Sequence, residues 1–173
     1  MERLILCGGG HVSLEVAYIA CRLDFEVIVI DDREEFANIS RFPMAHQVLC
    51  MPFLEALDRL GEGEADYFVI LTRGHAYDRQ CLEHVLGRRY AYVGMIGSRV
   101  KVAAVFSALR EAGILQETLD GVHSPIGLAI GGQTPAEIAV SIAAELVLER
   151  ARRGPGALPP PAEPGVLCTI VKK

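Results

Sequence analysis

The chain has 173 residues, 51% of them hydrophobic and 23% charged, which is the composition of a globular domain and not of a disordered segment. Seventeen basic against 22 acidic side chains leave a net charge of −5, which argues against a nucleic-acid or anionic-membrane surface, because both need a basic field. No apolar run approaches the roughly 18 residues needed to span a bilayer, so a membrane role is not expected.

In chain order, Arg3–Cys7 reads as a short hydrophobic strand and Val12–Leu23 as a helix with few polar breaks. Glu26–Asp31 is a β-branched run ending in acid. Arg33–Pro43 follows as a loop with at most one helical turn, then a short strand at Gln47–Cys50. Phe53–Leu60 predicts a helix, Tyr67–Leu71 a buried strand, Tyr77–Leu86 a helix, Tyr90–Gly94 a strand and Arg99–Ala112 a helix stopped by Gly113. The last long helix is Pro135–Arg152. Strands apolar on both faces, alternating with helices, predict an α/β fold: a Rossmann-like, doubly wound parallel sheet in three α/β/α layers over residues 1–153. Five of the nine prolines fall in Pro155–Pro164, so 154–165 reads as a semi-rigid linker. Residues 166–173 read as a β-prone tail whose strand must find a pairing edge.

The N-terminus runs directly into strand-like residues without a signal-peptide pattern, and a cytoplasmic protein is expected. The cysteines Cys7, Cys21, Cys50, Cys81 and Cys168 are odd in number and widely spaced, which fits neither a disulfide framework nor a zinc site. The first four lie in apolar surroundings and are expected to be small buried hydrophobes. No metal site is expected.

The first chemical motif is Gly8-Gly9-Gly10-His11-Val12-Ser13, between a strand and a helix. In a G-x-G-x-x-G loop the first glycine permits the tight turn and the second lets a pyrophosphate approach the backbone at the helix N-terminus. The third allows close helix–strand packing. Gly8 and Gly10 fill the first two roles and Ser13 stands in the third. Asp31 lies 21 residues after Gly10 at the end of the second strand, where a carboxylate would bond a ribose hydroxyl and favour NAD over NADP. Arg33 keeps NADP open. Backbone amides of Gly8, Gly10, His11 and Val12 would face the phosphates.

Ligands of open parallel sheets bind outside the carboxyl ends of the strands. The predicted strand ends lead into Thr72–Asp78, Met95–Arg99 and Ser124–Thr134, so these loops are expected to converge with the glycine loop on one rim. Arg73, Arg99 and His123 would supply charge there, and Gly97 and Ser98 backbone donors. His75, between Gly74 and a helix start, has no evident packing role and is a candidate ligand or acid/base group, as is Tyr77. His84 reads as structural or solvent-exposed. Ser98 fits an N-cap, and Thr134-Pro135-Ala136-Glu137 a capping box. In the last helix the polar residues Glu137, Ser141, Glu145 and Glu149 form one stripe on an otherwise apolar surface, which fits an interface between like chains and a homo-oligomer.

Together GGGHVS (Gly8–Ser13), VIDDREEFAN (Val29–Asn38), TRGHAYD (Thr72–Asp78), YVGMIGSRVK (Tyr92–Lys101) and SPIGLAIGGQTPAEIAVSIAAEL (Ser124–Leu146) resemble the C-terminal Rossmann domain of the XdhC family, the xanthine dehydrogenase accessory proteins. The resemblance implies a maturation factor or chaperone that handles molybdenum cofactor and docks on a molybdenum hydroxylase or its maturation proteins. It departs at Ser13, and at Ala129 and Gln133, where the family commonly carries acids. Full-length members carry an N-terminal domain before the Rossmann unit, which this chain is expected to lack.

Three readings follow. The leading one is a non-catalytic or weakly catalytic maturation factor binding NAD, NADP or the molybdenum cofactor. The second is an NAD(P)-dependent oxidoreductase with His75 or Tyr77 as acid/base, against which stands the absence of any Tyr-x-x-x-Lys pair. The third is an NAD-sensing module that signals through Val166–Val171.

Overall fold

A computed structural model describes residues 2–154. The linker and tail expected over 154–173 lie, apart from Gly154, outside the described residues. Five strands form one all-parallel sheet in the order β3-β2-β1-β4-β5: β1 (Arg3–Cys7), β2 (Glu26–Asp31), β3 (Gln47–Cys50), β4 (Asp66–Ile70) and β5 (Tyr92–Met95). The helices are α1 (His11–Arg22), α2 (Phe53–Leu60), α3 (His75–Leu86), α4 (Arg99–Glu111), α5 (Gln116–Asp120) and α6 (Pro135–Arg153).

Period-two side chains send β1 to both faces at once. Ile5 and Cys7 join a core under α2, α3, α4 and α5, while Leu4 and Leu6 join a second core under α1 and α6. All four are fully buried, and enclosing an aliphatic side chain contributes about 1.5–3 kcal/mol. At the amino ends of the strands, Arg3 grips Asp66 through Nε at 2.7 Å and Nη2 at 2.6 Å, pinning the β1–β4 register where the two residues pair.

β1 is followed by β2 on one side, whereas β4 lies on its other side. The strand order therefore reverses between β1 and β4, and their carboxyl ends open the crevice where ligands of such sheets sit. Beyond β5, His123 adds one parallel bridge to Gly94, a vestigial sixth strand.

Several boundaries differ from the sequence expectation. α3 begins at His75, two residues early, because Gly74 serves as its cap. β4 and β5 are shifted to Asp66–Ile70 and Tyr92–Met95. The five-residue α5 has no side-chain cap and one buried residue, Leu119, too weak a pattern to predict. Residues 33–43 form successive turns without a helix. Cys7 and Cys81 are buried as expected, but Cys21 is half-buried and Cys50, the last residue of edge strand β3, is exposed.

Candidate functional site

The loop after β1 is shaped by close approaches. Gly8 sits at φ +119° and donates its amide to Ile30 at 2.7 Å, and a Cβ there would lie 2.4 Å from the Leu71 carbonyl oxygen. Only glycine meets both conditions. A Cβ on Gly9 would meet the Phe36 carbonyl oxygen at 2.2 Å, so the turns after β2 rest directly on the loop. Ser13, in the third position of the fingerprint, is fully buried, and its hydroxyl has no hydrogen-bond partner among the described residues.

Gly10 has no atom within 4 Å of its would-be Cβ and caps α1 without a side-chain acceptor. Gly74 does the same for α3, also with open space before it. Two helix N-termini flanking the reversal of strand order thus carry first-turn amides that no side chain caps, each with the positive end of its helix dipole toward the crevice. Of the other helices, α2 and α5 likewise lack a side-chain cap, whereas α4 and α6 have one. Ser98 Oγ accepts from the Lys101 amide at 3.3 Å, and Thr134 and Glu137 complete the expected capping box on α6. The two open ends fit a phosphate group, whose oxygens would accept from the amides following Gly10 and Gly74.

Beside the Gly74 end lies a cavity of about 280 Å³ lined by Asp32, Arg33, Phe53, Arg73, Gly74 and Tyr77, and no residue of the glycine loop lines it. Tyr77 packs on Phe53 with ring centroids 5.5 Å apart and is itself 45% exposed, so the cavity has an aromatic wall. Arg73 is exposed and makes no ion pair among the described residues. The backbone of His75 opens α3 beside this cavity. His11 is exposed at the head of α1 and Val12 half-buried behind it.

Asp31 is buried at the end of β2, but its carboxylate is occupied. Oδ2 accepts from the Gly9 amide at 2.9 Å and from Arg33 Nη2 at 3.0 Å; Oδ1 accepts from the Arg33 amide at 3.1 Å and Nε at 2.9 Å. Burial alone would raise its pKa, yet the Arg33 guanidinium and the two amides outweigh burial and hold it below the ordinary value. Arg33 also stacks 3.8 Å over the Phe36 ring, and Arg41 donates from Nε to the Gly9 carbonyl at 3.1 Å.

Three residues that the sequence reading did not single out form a buried network behind the cavity. Asp78, fully buried in the first turn of α3, accepts from Thr72 Oγ1 at 2.5 Å and from the Thr72 amide at 3.2 Å, and it pairs with Lys101 of α4. A Cβ on Gly97 would lie 2.9 Å from Lys101 Cδ, so that glycine makes room for the lysine stem. The pair ties the loops after β4 and β5 together. Its partners are 23 residues apart in sequence (101 − 78), and no local pattern announces them.

The expected convergence holds only in part. Gly97, Ser98 and Arg99 stand at the next strand end and do not line the cavity. His123 is not on the rim: its ring packs on Tyr92 at 4.6 Å and Nδ1 lies 3.4 Å from Glu145 of α6. The loop after it is bound to Met95 by Ser124 Oγ at 2.9 Å and the Ile126 amide at 3.1 Å, at the outer end of the sheet. Glu145 accepts from the Tyr92 hydroxyl and the Gly127 amide, which draws the loop onto α6. Cys7 lies next to Gly8, and the neighbouring Cys81 thiol and burial push its thiol well up, so it is not an activated nucleophile. A larger groove of about 580 Å³ between α2 and α3 lies away from the strand ends, and His84 there pairs with Asp58 at 3.0 Å.

With this geometry, the family model for the XdhC Rossmann domain matches residues 4–146. The chain belongs to the XdhC family. It is 34% identical over 156 residues to the uncharacterized protein YqeB of Escherichia coli (strain K12), covering 90% of this chain and 28% of that protein. It is 30% identical over 150 residues to a probable xanthine dehydrogenase subunit from Bacillus subtilis (strain 168), covering 87% of this chain and 43% of the relative. A crystal structure of a xanthine dehydrogenase from Bacillus halodurans superposes with a TM-score of 0.77 at 27% identity, over 91% of this chain and 45% of that one. The XdhC-family chain thus spans less than half the length of these relatives. Among its described residues, no helix is long and apolar enough to cross a membrane.

Proposed function

We propose that this XdhC-family chain is an accessory or maturation factor for a molybdenum hydroxylase of the xanthine dehydrogenase type, and that it holds a phosphate-bearing cofactor at the carboxyl edge of its sheet. The supporting observation is the pair of glycine-capped, side-chain-free helix N-termini at Gly10 and Gly74 on either side of the strand reversal. The amides of Gly10, His11 and Val12 would hold phosphate, and Arg73 would neutralise it. The wall of Tyr77 and Phe53 suits a flat ring, of a pterin or a nucleotide base alike. Asp31 would reach a ribose only where Arg33 turns away. A bound molybdenum cofactor would supply the redox chemistry of the hydroxylase that receives it, while the chain binds, orients and shields it.

The test is calorimetry of the purified chain with isolated molybdenum cofactor, NAD and NADP in turn. Binding of at least one in the micromolar range is expected. Gly10→Asp sharpens the test, because a Cβ there meets nothing and Asp is a good N-cap, so the fold is retained. Its carboxylate takes the phosphate position, and binding should be lost with the melting temperature unchanged or raised. Failure of all three ligands to bind below millimolar concentration rejects the proposal.

A further inference from the structure

We infer that the outward face of α6 is the contact surface of an antiparallel homodimer, in which a second copy of this chain lays its own α6 across a twofold axis between Ala143 and Ala144. The starting observation is a helix apolar on both sides, since Ala139, Ile142 and Leu146 lie in the core and its outward face is apolar as well. Its mid-helix polar residues Ser141 and Glu145 are buried, and Ser141 Oγ donates to the Leu128 carbonyl at 2.6 Å. At 3.6 residues per turn, Ala136, Val140, Ala144, Val147, Leu148 and Ala151 share an arc of about 120° on the side away from Ile142 and Leu146. None of these six is buried, and Val140 and Val147 are 50% and 43% exposed. Beyond Glu137 in the first turn, that arc holds no polar side chain. α1 packs alongside α6. A surface helix normally shows water the reverse pattern, and a contiguous exposed apolar face marks a contact.

The spacing selects the occupant. Ala136 and Ala151, and Val140 and Val147, are each equidistant from the midpoint between residues 143 and 144, where Ala144 is the residue on the outward face. An antiparallel copy therefore sets valine against valine and alanine against alanine, with small residues at the crossing, where helices approach to about 8 Å. A twofold contact of this kind requires a self-complementary patch, which this face is. Charge agrees. Glu137 and Arg152 lie on the same flank at opposite ends of α6, so antiparallel pairing brings each Glu137 to the second copy's Arg152. Arg152 bonds Glu149 through Nη1, while its Nε is buried without a partner among the described residues. A parallel pair would instead oppose like charges at both ends and align the two macrodipoles.

Sedimentation equilibrium of the full chain is expected to give twice the mass of one chain. Val140→Glu combined with Val147→Glu should weaken association by at least about 100-fold with unchanged circular dichroism, since it places charges in an apolar contact. Ala144→Cys, a mild change near the axis, should yield a disulfide-linked dimer by itself under oxidation. Ala136→Cys should cross-link only when mixed with Ala151→Cys, and the wild-type chain, with its exposed Cys50, serves as control. A monomeric chain at high micromolar concentration overturns the inference. So does a dimer indifferent to the two glutamates, or one in which Ala144→Cys fails to cross-link.

Discussion

The Asp31 carboxylate accepts the Arg33 guanidinium through both of its oxygens, at 2.9 and 3.0 Å. With the amides of Gly9 and Arg33 added, about four acceptor positions are filled, which is the capacity of a carboxylate. An acid at the end of the second strand favours an unphosphorylated ribose only if it has an acceptor to spare, and here it has none until Arg33 moves. Arg33→Ala is therefore expected to tighten NAD binding about tenfold, the worth of roughly one charge-assisted hydrogen bond regained. Titration calorimetry of the two proteins decides it, and weaker binding by the variant would show that Arg33 itself contacts the nucleotide.

The pH dependence of stability has two separate limbs. The folded-state pKa of Asp31 is depressed below 3.8, so its contribution is complete above that value and is lost as pH falls through the folded one. Tyr67 behaves oppositely. Burial first, and then the neighbouring Glu2, push its phenol from 10.0 to about 12, so its contribution is complete below 10.0 and is lost as pH rises toward 12. Melting temperatures across pH should show Asp31→Asn flattening the acid limb and Tyr67→Phe the alkaline limb, each leaving the other unchanged.

Asp78 and Lys101 form the most demanding electrostatic contact, with the carboxylate fully buried and the ammonium 17% exposed. Removing one partner of such a pair leaves a buried charge and costs about 3 kcal/mol. Lys101→Met should lose about that much in urea denaturation, and Asp78→Asn with Lys101→Met should recover part of it. Strict additivity of the two single changes would mean that the groups do not interact.

Ser13 presents the reverse case, a buried hydroxyl with nothing to bond among the described residues. An unsatisfied buried polar group costs about 1–3 kcal/mol, and alanine keeps the volume small while improving helix propensity. Ser13→Ala should raise the melting temperature by several degrees. A drop would reveal a hydrogen bond to a water or ligand at that position.

Much of this was legible in the sequence because it is local. The run EVIVID marks β2 to the residue, and Thr134 with Glu137 announces the α6 cap through spacing alone. The glycine loop is equally visible, since the demands on Gly8 follow from turn geometry. What escaped is non-local. That Arg33 neutralises Asp31 depends on which way a turn folds, and the Asp78–Lys101 pair on two helices meeting. The place of His123 is not legible because a loop residue between α5 and α6 has the same local signature whether it faces the crevice or Tyr92. α5 escaped for a different reason: five residues with one buried side chain produce no period.

The apolar outward face of α6 also reverses the customary rules of surface engineering. Ser141 is buried, its hydroxyl and carbonyl both bind Leu128, and a Cβ on Gly127 would lie 2.3 Å from Ser141 Oγ. Replacing this serine with valine, a routine stabilising choice on a buried face, would unseat the loop that closes the end of the sheet. Lysine at Val140 or Val147 would solubilise the isolated chain at no cost to its core. Hydropathy alone would send a protein engineer to the wrong side of the helix.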